Sequence, residues 1–174
     1  MVSFSKGTGY SKSDLKDSGN PIVLYGRLYT NYQTVIDEVD TYADVKQGAV
    51  FSKGNEVVVP ASGETSEDIA IASVIKNKGV LLGGDLNIIQ PPNYLDSTFL
   101  ALSISNGAPH NAMAKMAQGK SVVHLHNSDL AQIVLNYPKL EEQKRISQYL
   151  GCIDNLITLH QRKFFLLRVL KGIS

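Results

Sequence analysis

The chain of 174 residues holds a single cysteine, Cys152, so no disulfide can close within it, and a reducing setting fits that usage. No apolar run is longer than a few residues, far short of the roughly twenty that a membrane-spanning helix needs. The opening stretch, MVSFSKGTGYSKSDLKDSGN, is polar and lacks the apolar centre of a signal peptide. A surplus of one charge is missing as well. The formal net charge is +1, so contact with nucleic acid would have to come from local placement of cations rather than from the total. These absences describe a cytoplasmic protein with no membrane partner. What is present excludes disorder: 43% hydrophobic and 19% charged residues are ordinary for a globular chain, and the length supports one cored domain with or without an appendage.

The first twenty residues read as a turn-rich lead-in. PIVLYGRLYTNY has strand composition broken at Gly26, and residues 42–75 read as a strand pair around Lys53-Gly54-Asn55, then a loop and a short apolar run. GVLLGGDLNIIQPP predicts a strand interrupted at Gly83-Gly84 and closed by two prolines. Residues 95–118 carry helical spacing with a break at Gly107-Ala108-Pro109. KSVVHLHNSDLAQIVLNYP predicts two strands around a turn at Asn127-Ser128-Asp129. No internal repeat is found.

From Pro138 the pattern changes. Proline suits a helix entry, Glu141 and Glu142 complement the dipole of a first turn, and Lys163, Arg168 and Lys171 that of a last turn before Gly172. A helix over 140–171 is predicted, roughly 48 Å long at 1.5 Å per residue. Ile146, Leu150, Ile153, Ile157, His160, Phe164 and Leu167 alternate spacings of four and three, as in a coiled-coil seam. Leu156, Leu159, Leu166 and Leu170 form a second stripe. A globule built from residues 1–138 is about 30–35 Å across and cannot cover such a rod from end to end. Each Leu or Ile left in water forgoes about 1.5–3 kcal/mol, a strong drive to pair with another helix. His160 is read as a tolerated polar position on the seam, with a register or pH device as the sharper alternative. Gly151 suggests close approach of a neighbouring backbone.

Four stretches resemble the specificity subunit of type I restriction–modification systems: SKGTGYSKSDL (5–15), VVVPASGETSEDIAIASVI (57–75) with GGDLNI (83–88), AQGKSVVHLHNSDL (117–130), and LNYPKLEEQKRISQYLGCIDNLITLHQRKFFLLRVLKG (135–172). The resemblance implies an α+β fold: a β-rich target recognition domain with short helices over 1–138, then a spacer helix over 139–174 for antiparallel coiled-coil pairing. The family's usual subunit has two of each, so this chain resembles a half-subunit, natural or truncated. It would pair with a second copy or with another half-subunit. The implied function is recognition of double-stranded DNA at a bipartite, inverted-repeat site. Adenine methylation or cleavage would fall to methyltransferase and restriction subunits, which would carry S-adenosylmethionine, Mg and ATP. The chain itself would be no enzyme and hold no cofactor or metal. The rival reading is a scaffolding protein that dimerises through its coiled coil.

DNA contact needs cations for phosphate and hydrogen-bonding side chains for base edges. Polar loops supply Lys6, Thr8, Tyr10, Ser11, Lys12, Lys53, Ser62, Thr65, Lys115, Lys120, Ser121 and His124 as candidates. Three motifs are set aside. QPPNYLD places its Asn after the prolines and reads as a strand-ending turn; Lys6-Gly7-Thr8-Gly9 lacks a third glycine; His124 and His126 form an incidental pair without further metal ligands.

Overall fold

The computed structural model describes residues 2–117, 119 and 122–171, with 162–171 as backbone only. The strands are β1 (Ser3–Lys6), β2 (Asn20–Val23), β3 (Val35–Ile36), β4 (Tyr42–Ala43), β5 (Phe51–Lys53), β6 (Glu56–Pro60), β7 (Ser62–Gly63), β8 (Ser73–Ile75), β9 (Lys78–Leu82), β10 (Leu86–Gln90) and β11 (Val123–His124). The helices are α1 (Tyr25–Thr30), α2 (Ser97–Ser105), α3 (Gly107–Met116), α4 (Asn127–Leu130) and α5 (Leu140–Lys171). A central sheet has the order β1-β10-β6-β8-β3; a second has β4-β2-β9-β5; β11 pairs with β7.

Strand β6 shows why the globule has a core on both sides of the central sheet. All five of its residues are buried. Side chains alternate between faces of a strand, so Val57 and Val59 meet one cluster and Val58 another. The first cluster takes Phe99, Leu100 and Ile104 of α2 and Met113 of α3; the second takes Leu28 of α1 with Val80 and Leu82 of β9.

Two expected features become crossovers between sheets. The strands flanking Lys53-Gly54-Asn55 do not pair with each other: β5 joins β9, while β6 joins β10 and β8. The Glu56 carboxylate accepts the Lys53 and Gly54 amides, which turns the chain without a ladder. The Gly83-Gly84 interruption likewise separates β9 in one sheet from β10 in the other. A Cβ at Gly83 would start 2.3 Å from a Leu24 methyl, so any larger residue there would have to displace that side chain.

Other expectations are corrected. Residues 3–6 of the polar lead-in are an edge strand, paired with β10 from Ser3–Gln90 to Lys6–Asn87. PIVLYGRLYTNY is half strand and half helix, since α1 begins at Tyr25. The turn at Asn127–Asp129 opens α4 instead of a hairpin, because the Asp129 carboxylate accepts the His126 amide at 2.8 Å and caps the helix. The helical break falls at Asn106, before a left-handed Gly107 at φ 71°. QPPNYLD, by contrast, is the strand-ending turn expected of it, with the Leu95 amide donating to the Pro92 carbonyl at 2.9 Å.

Helix α5 starts at Leu140, where the periodicity places it. Its first turns are fastened by polar groups. The fully buried Gln143 accepts from the Asp96 amide at 2.8 Å and donates to the Tyr94 and Pro138 carbonyls at 3.2 and 2.9 Å. Ser147 donates to Asp96 Oδ1 at 2.8 Å, the same oxygen that caps α2 through the Phe99 amide. Further along the rod, Leu150, Ile157, Leu156 and Leu159 are 36%, 50%, 66% and 61% exposed. Ile146 and Ile153 are half-buried, Ile146 against the first cluster. A Cβ placed on Gly151 would meet nothing within 4 Å, so the expected close approach does not occur among the described residues. His160 is exposed. The side chains of Phe164 and Leu167 lie outside the described residues.

Candidate nucleic-acid interface

Five residues of β6 span roughly 13 Å, so the sheet presents two separate ends. At the end marked by Pro60 and Leu86, paired in register, several polar loops converge. Lys6 is exposed where β1 finishes opposite Asn87. The next loop is fixed by the Gly7 amide to the Leu86 carbonyl (2.9 Å) and the Thr8 amide to the Leu82 carbonyl (3.1 Å). Thr8 Oγ1 donates to the Gly48 carbonyl at 3.2 Å. A Cβ on Gly7 would fall 1.9 Å from the Gly83 carbonyl oxygen, so the loop lies directly on the crossover. Ser11 caps a 3-10 turn at Lys12–Asp14, its amide donating to Asp14 Oδ2 at 2.9 Å, and Lys12 is exposed to solvent.

Ser62 and His124 face each other across the β7–β11 pair at the same end. The Ser62 hydroxyl is buried and donates to Asp85 Oδ2 at 3.1 Å. His124 is exposed, its ring parallel to that of His126 with centroids 6.5 Å apart. This segment is tied to the central sheet by the buried Asn87, whose Nδ2 donates to the Leu125 carbonyl at 2.8 Å. Asn127 Nδ2 ties it to β1 through the Ser5 carbonyl at 2.9 Å. Among the described residues no group of three His, Cys, Asp or Glu could hold a metal ion.

A groove of about 660 Å³ runs beside this cluster, lined by Ser11, Lys12, Tyr25, Thr30, Asn31 and Asp85 among others. Arg27, also in its wall, is held inward: its guanidinium bonds Asp40 at 2.5 Å, Gln33 at 3.0 Å and the Glu38 carbonyl at 3.0 Å. That bond holds the Asp40 carboxyl below its ordinary range. Lys46 does the same for Asp14, with help from the Ser11 amide. Burial pushes the Tyr29 phenol up; its hydroxyl donates to the Ser62 carbonyl at 2.9 Å, bracing β7 from beneath.

The sequence-predicted residues therefore separate into groups. Lys6, Thr8, Ser11, Lys12, Ser62 and His124 gather at one end of the sheet. Tyr10 leaves the surface: its ring is buried with Ile22, Ala43 and Leu81, and its hydroxyl accepts the Lys46 amide at 2.7 Å. Ser62, too, is covered, and acts on the surface through Asp85. Lys53 is exposed at the opposite end, beside Asn55, whose carbonyl accepts from Ser97 at the start of α2 (2.7 Å). Thr65 closes its own turn onto Asp68, at 2.7 Å to the carboxylate. Lys115 is exposed in the last turn of α3. Lys120 and Ser121 lie outside the described residues. Tyr25, Asn31 and Asp85 line the groove but escape the sequence reading, because α1 resembles a strand there and Asp85 resembles any turn residue after two glycines.

The comparisons with known proteins agree with this architecture. The family model described as the type I restriction modification DNA specificity domain matches residues 1–164. A chain from a structure of the type I R-M system, studied for complex assembly and conformational transition, aligns with a TM-score of 0.64 at 16% identity. The alignment covers 92% of this chain and 38% of that one. The HsdS subunit from Thermoanaerobacter tengcongensis aligns with a TM-score of 0.63 at 17% identity, over 92% of this chain and 37% of its own. The S subunit of the type I restriction–modification system from M. genitalium gives 0.58 at 16%, over 88% and 37%. This chain thus spans under two-fifths of each of these relatives, and at such identities the likeness is one of fold. No curated protein matches. With nearly its whole length accounted for by one family model, and with one β-rich globule and one long helix, the chain belongs to the type I restriction–modification DNA specificity domain family.

Proposed function

We propose that this chain is a sequence-specific DNA recognition subunit, that the converging loops at the Pro60–Leu86 end form its reading face, and that α5 pairs antiparallel with the helix of a second copy or of another half-subunit. The apolar side chains that the globule leaves exposed on α5 carry this reading. A helix whose buried positions are Gln143 and Ser147, and which leaves Leu150, Leu156, Ile157 and Leu159 exposed, has apolar surface that another apolar helix can cover. Two-fold symmetry would set identical reading faces at opposite ends of the paired rods, so the target is bipartite and inverted-repeat. The rods measure the spacer without touching bases. Methyltransferase and restriction subunits carry the adenine methylation, the cleavage, and their S-adenosylmethionine, Mg and ATP; this chain acts as a cytoplasmic adaptor with no catalytic residue.

The reading is tested by solution mass and by the recognised site. A dimer, and a salt-sensitive shift of duplex DNA that strengthens with the methyltransferase subunits, are expected. A monomer at high concentration would remove the pairing, and a continuous asymmetric target would remove the inverted repeat. Tight dimers with no DNA dependence in the full complex would favour the scaffolding alternative.

A further inference from the structure

We infer that Asp85 is a specificity-determining residue, its free carboxylate oxygen accepting from the exocyclic amino group of a cytosine in the major groove. This rests on the DNA-recognition reading above and names one residue that performs it.

Asp85 is exposed on the Gly83–Asp85 crossover and adopts the left-handed conformation, φ 57°, shared among described non-glycine residues only with Asn55. Such conformations persist where surrounding contacts enforce them. Here they do. The Asp85 carbonyl accepts the Ala61 amide at 2.7 Å, the Gly83 amide donates to the Val23 carbonyl at 3.0 Å, and the buried Ser62 hydroxyl holds Oδ2 at 3.1 Å. The side chain is therefore pre-oriented and has little freedom left to lose on binding. Among the described residues no donor engages Oδ1, and no cation is paired with Asp85.

A carboxylate left without a cation, on the end of the sheet that gathers Lys6, Lys12 and His124, is repelled by phosphate and can approach DNA only where bases present donors. In the major groove those donors are the amino groups of cytosine and adenine. Adenine places its N7 acceptor beside that amine, which opposes a carboxylate; cytosine does not. Exposed Lys12, in the same groove, takes a neighbouring phosphate and sets the register.

The test uses the complex purified from its host through this chain, incubated with a randomised duplex library, with bound duplexes sequenced. Gly and Asn both accept the conformation at position 85, so Asp85→Gly and Asp85→Asn keep the fold. The wild type is expected to enrich a motif with a fixed G·C pair in each half-site. Asp85→Gly should relax that one pair by about tenfold and leave the rest, the usual size for one lost base contact. Asp85→Asn should move the preference toward A·T, since an amide can serve both the amine and N7 of adenine. Lys12→Ala should weaken all sequences alike and keep the motif. An unchanged motif in Asp85→Gly overturns the inference, as does loss of the whole motif. A wild-type complex that enriches nothing overturns the DNA reading itself, and Asp85 with it.

Discussion

Helices α2 and α5 meet the globule in opposite ways. Helix α2 buries Phe99, Leu100, Ala101 and Ile104 against the central sheet. Helix α5 buries an amide and a hydroxyl, and leaves Leu150, Leu156 and Leu159 exposed. The joint between them is Asp96, which caps α2 with the same oxygen that receives Ser147. The difference separates two jobs. Apolar burial in α2 stabilises the globule; hydrogen bonds in α5 set the direction of the rod and leave Leu150, Leu156 and Leu159 exposed. Polar contacts suit that role because they are directional and their net worth is modest, about 1 kcal/mol each.

This contrast can be broken at either helix. The largest effect is expected for Leu150→Asp with Ile157→Asp. The pair should abolish self-association at micromolar concentration, read by sedimentation, while the melting temperature of the globule stays within a degree or two. Equal dispersity in the double variant would mean the seam is not an interface. Next comes Leu100→Ala in α2, expected to cost roughly 2–5 kcal/mol in denaturant unfolding, as for a buried leucine whose site cannot collapse. Gln143→Ala should cost less, roughly 1–3 kcal/mol, because it strands the Asp96 amide and two carbonyls at the joint. It should also broaden the distribution of rod orientations, measurable by spin-label distances between α5 and α2.

The smallest effect is acid sensitivity. Asp14 and Asp40 are held below the ordinary 3.8 by Lys46 and Arg27. The unfolded chain therefore takes up their protons first as pH falls. Their stabilisation is complete above that value and fades only below it, so melting temperature should be flat from pH 7 to about 5 and decline beneath. Arg27→Lys should reduce the decline, since a point charge cannot replace the fork that binds Asp40, Gln33 and Glu38.

Legibility from sequence follows the length scale of the interactions. The start of α5 and the paired helices over 95–118 are visible because periodicity and caps are local. The two crossovers are not. Lys53-Gly54-Asn55 has the composition of a hairpin, and only the Glu56 carboxylate, acting inside a folded core, sends its strands to different sheets. Strand β1 reads as a polar lead-in because its partner β10 lies more than eighty residues away in sequence. At the candidate site, loop composition finds the exposed Lys6, Lys12 and His124, yet it cannot distinguish them from Tyr10, whose aromatic ring is drawn into the core. Asp85 carries a faint signal, an acidic residue directly after Gly-Gly, where a left-handed conformation favours Asp or Asn.

The bond from Asn127 to the Ser5 carbonyl joins residues 122 positions apart. During synthesis, the opening strand must therefore wait for nearly the whole globule to leave the ribosome before that clasp can shut. Helix α5 follows a few residues later. Its exposed leucines emerge when the loops of the proposed reading face are only just being locked, so in the pairing proposed above assembly would follow completion of that face.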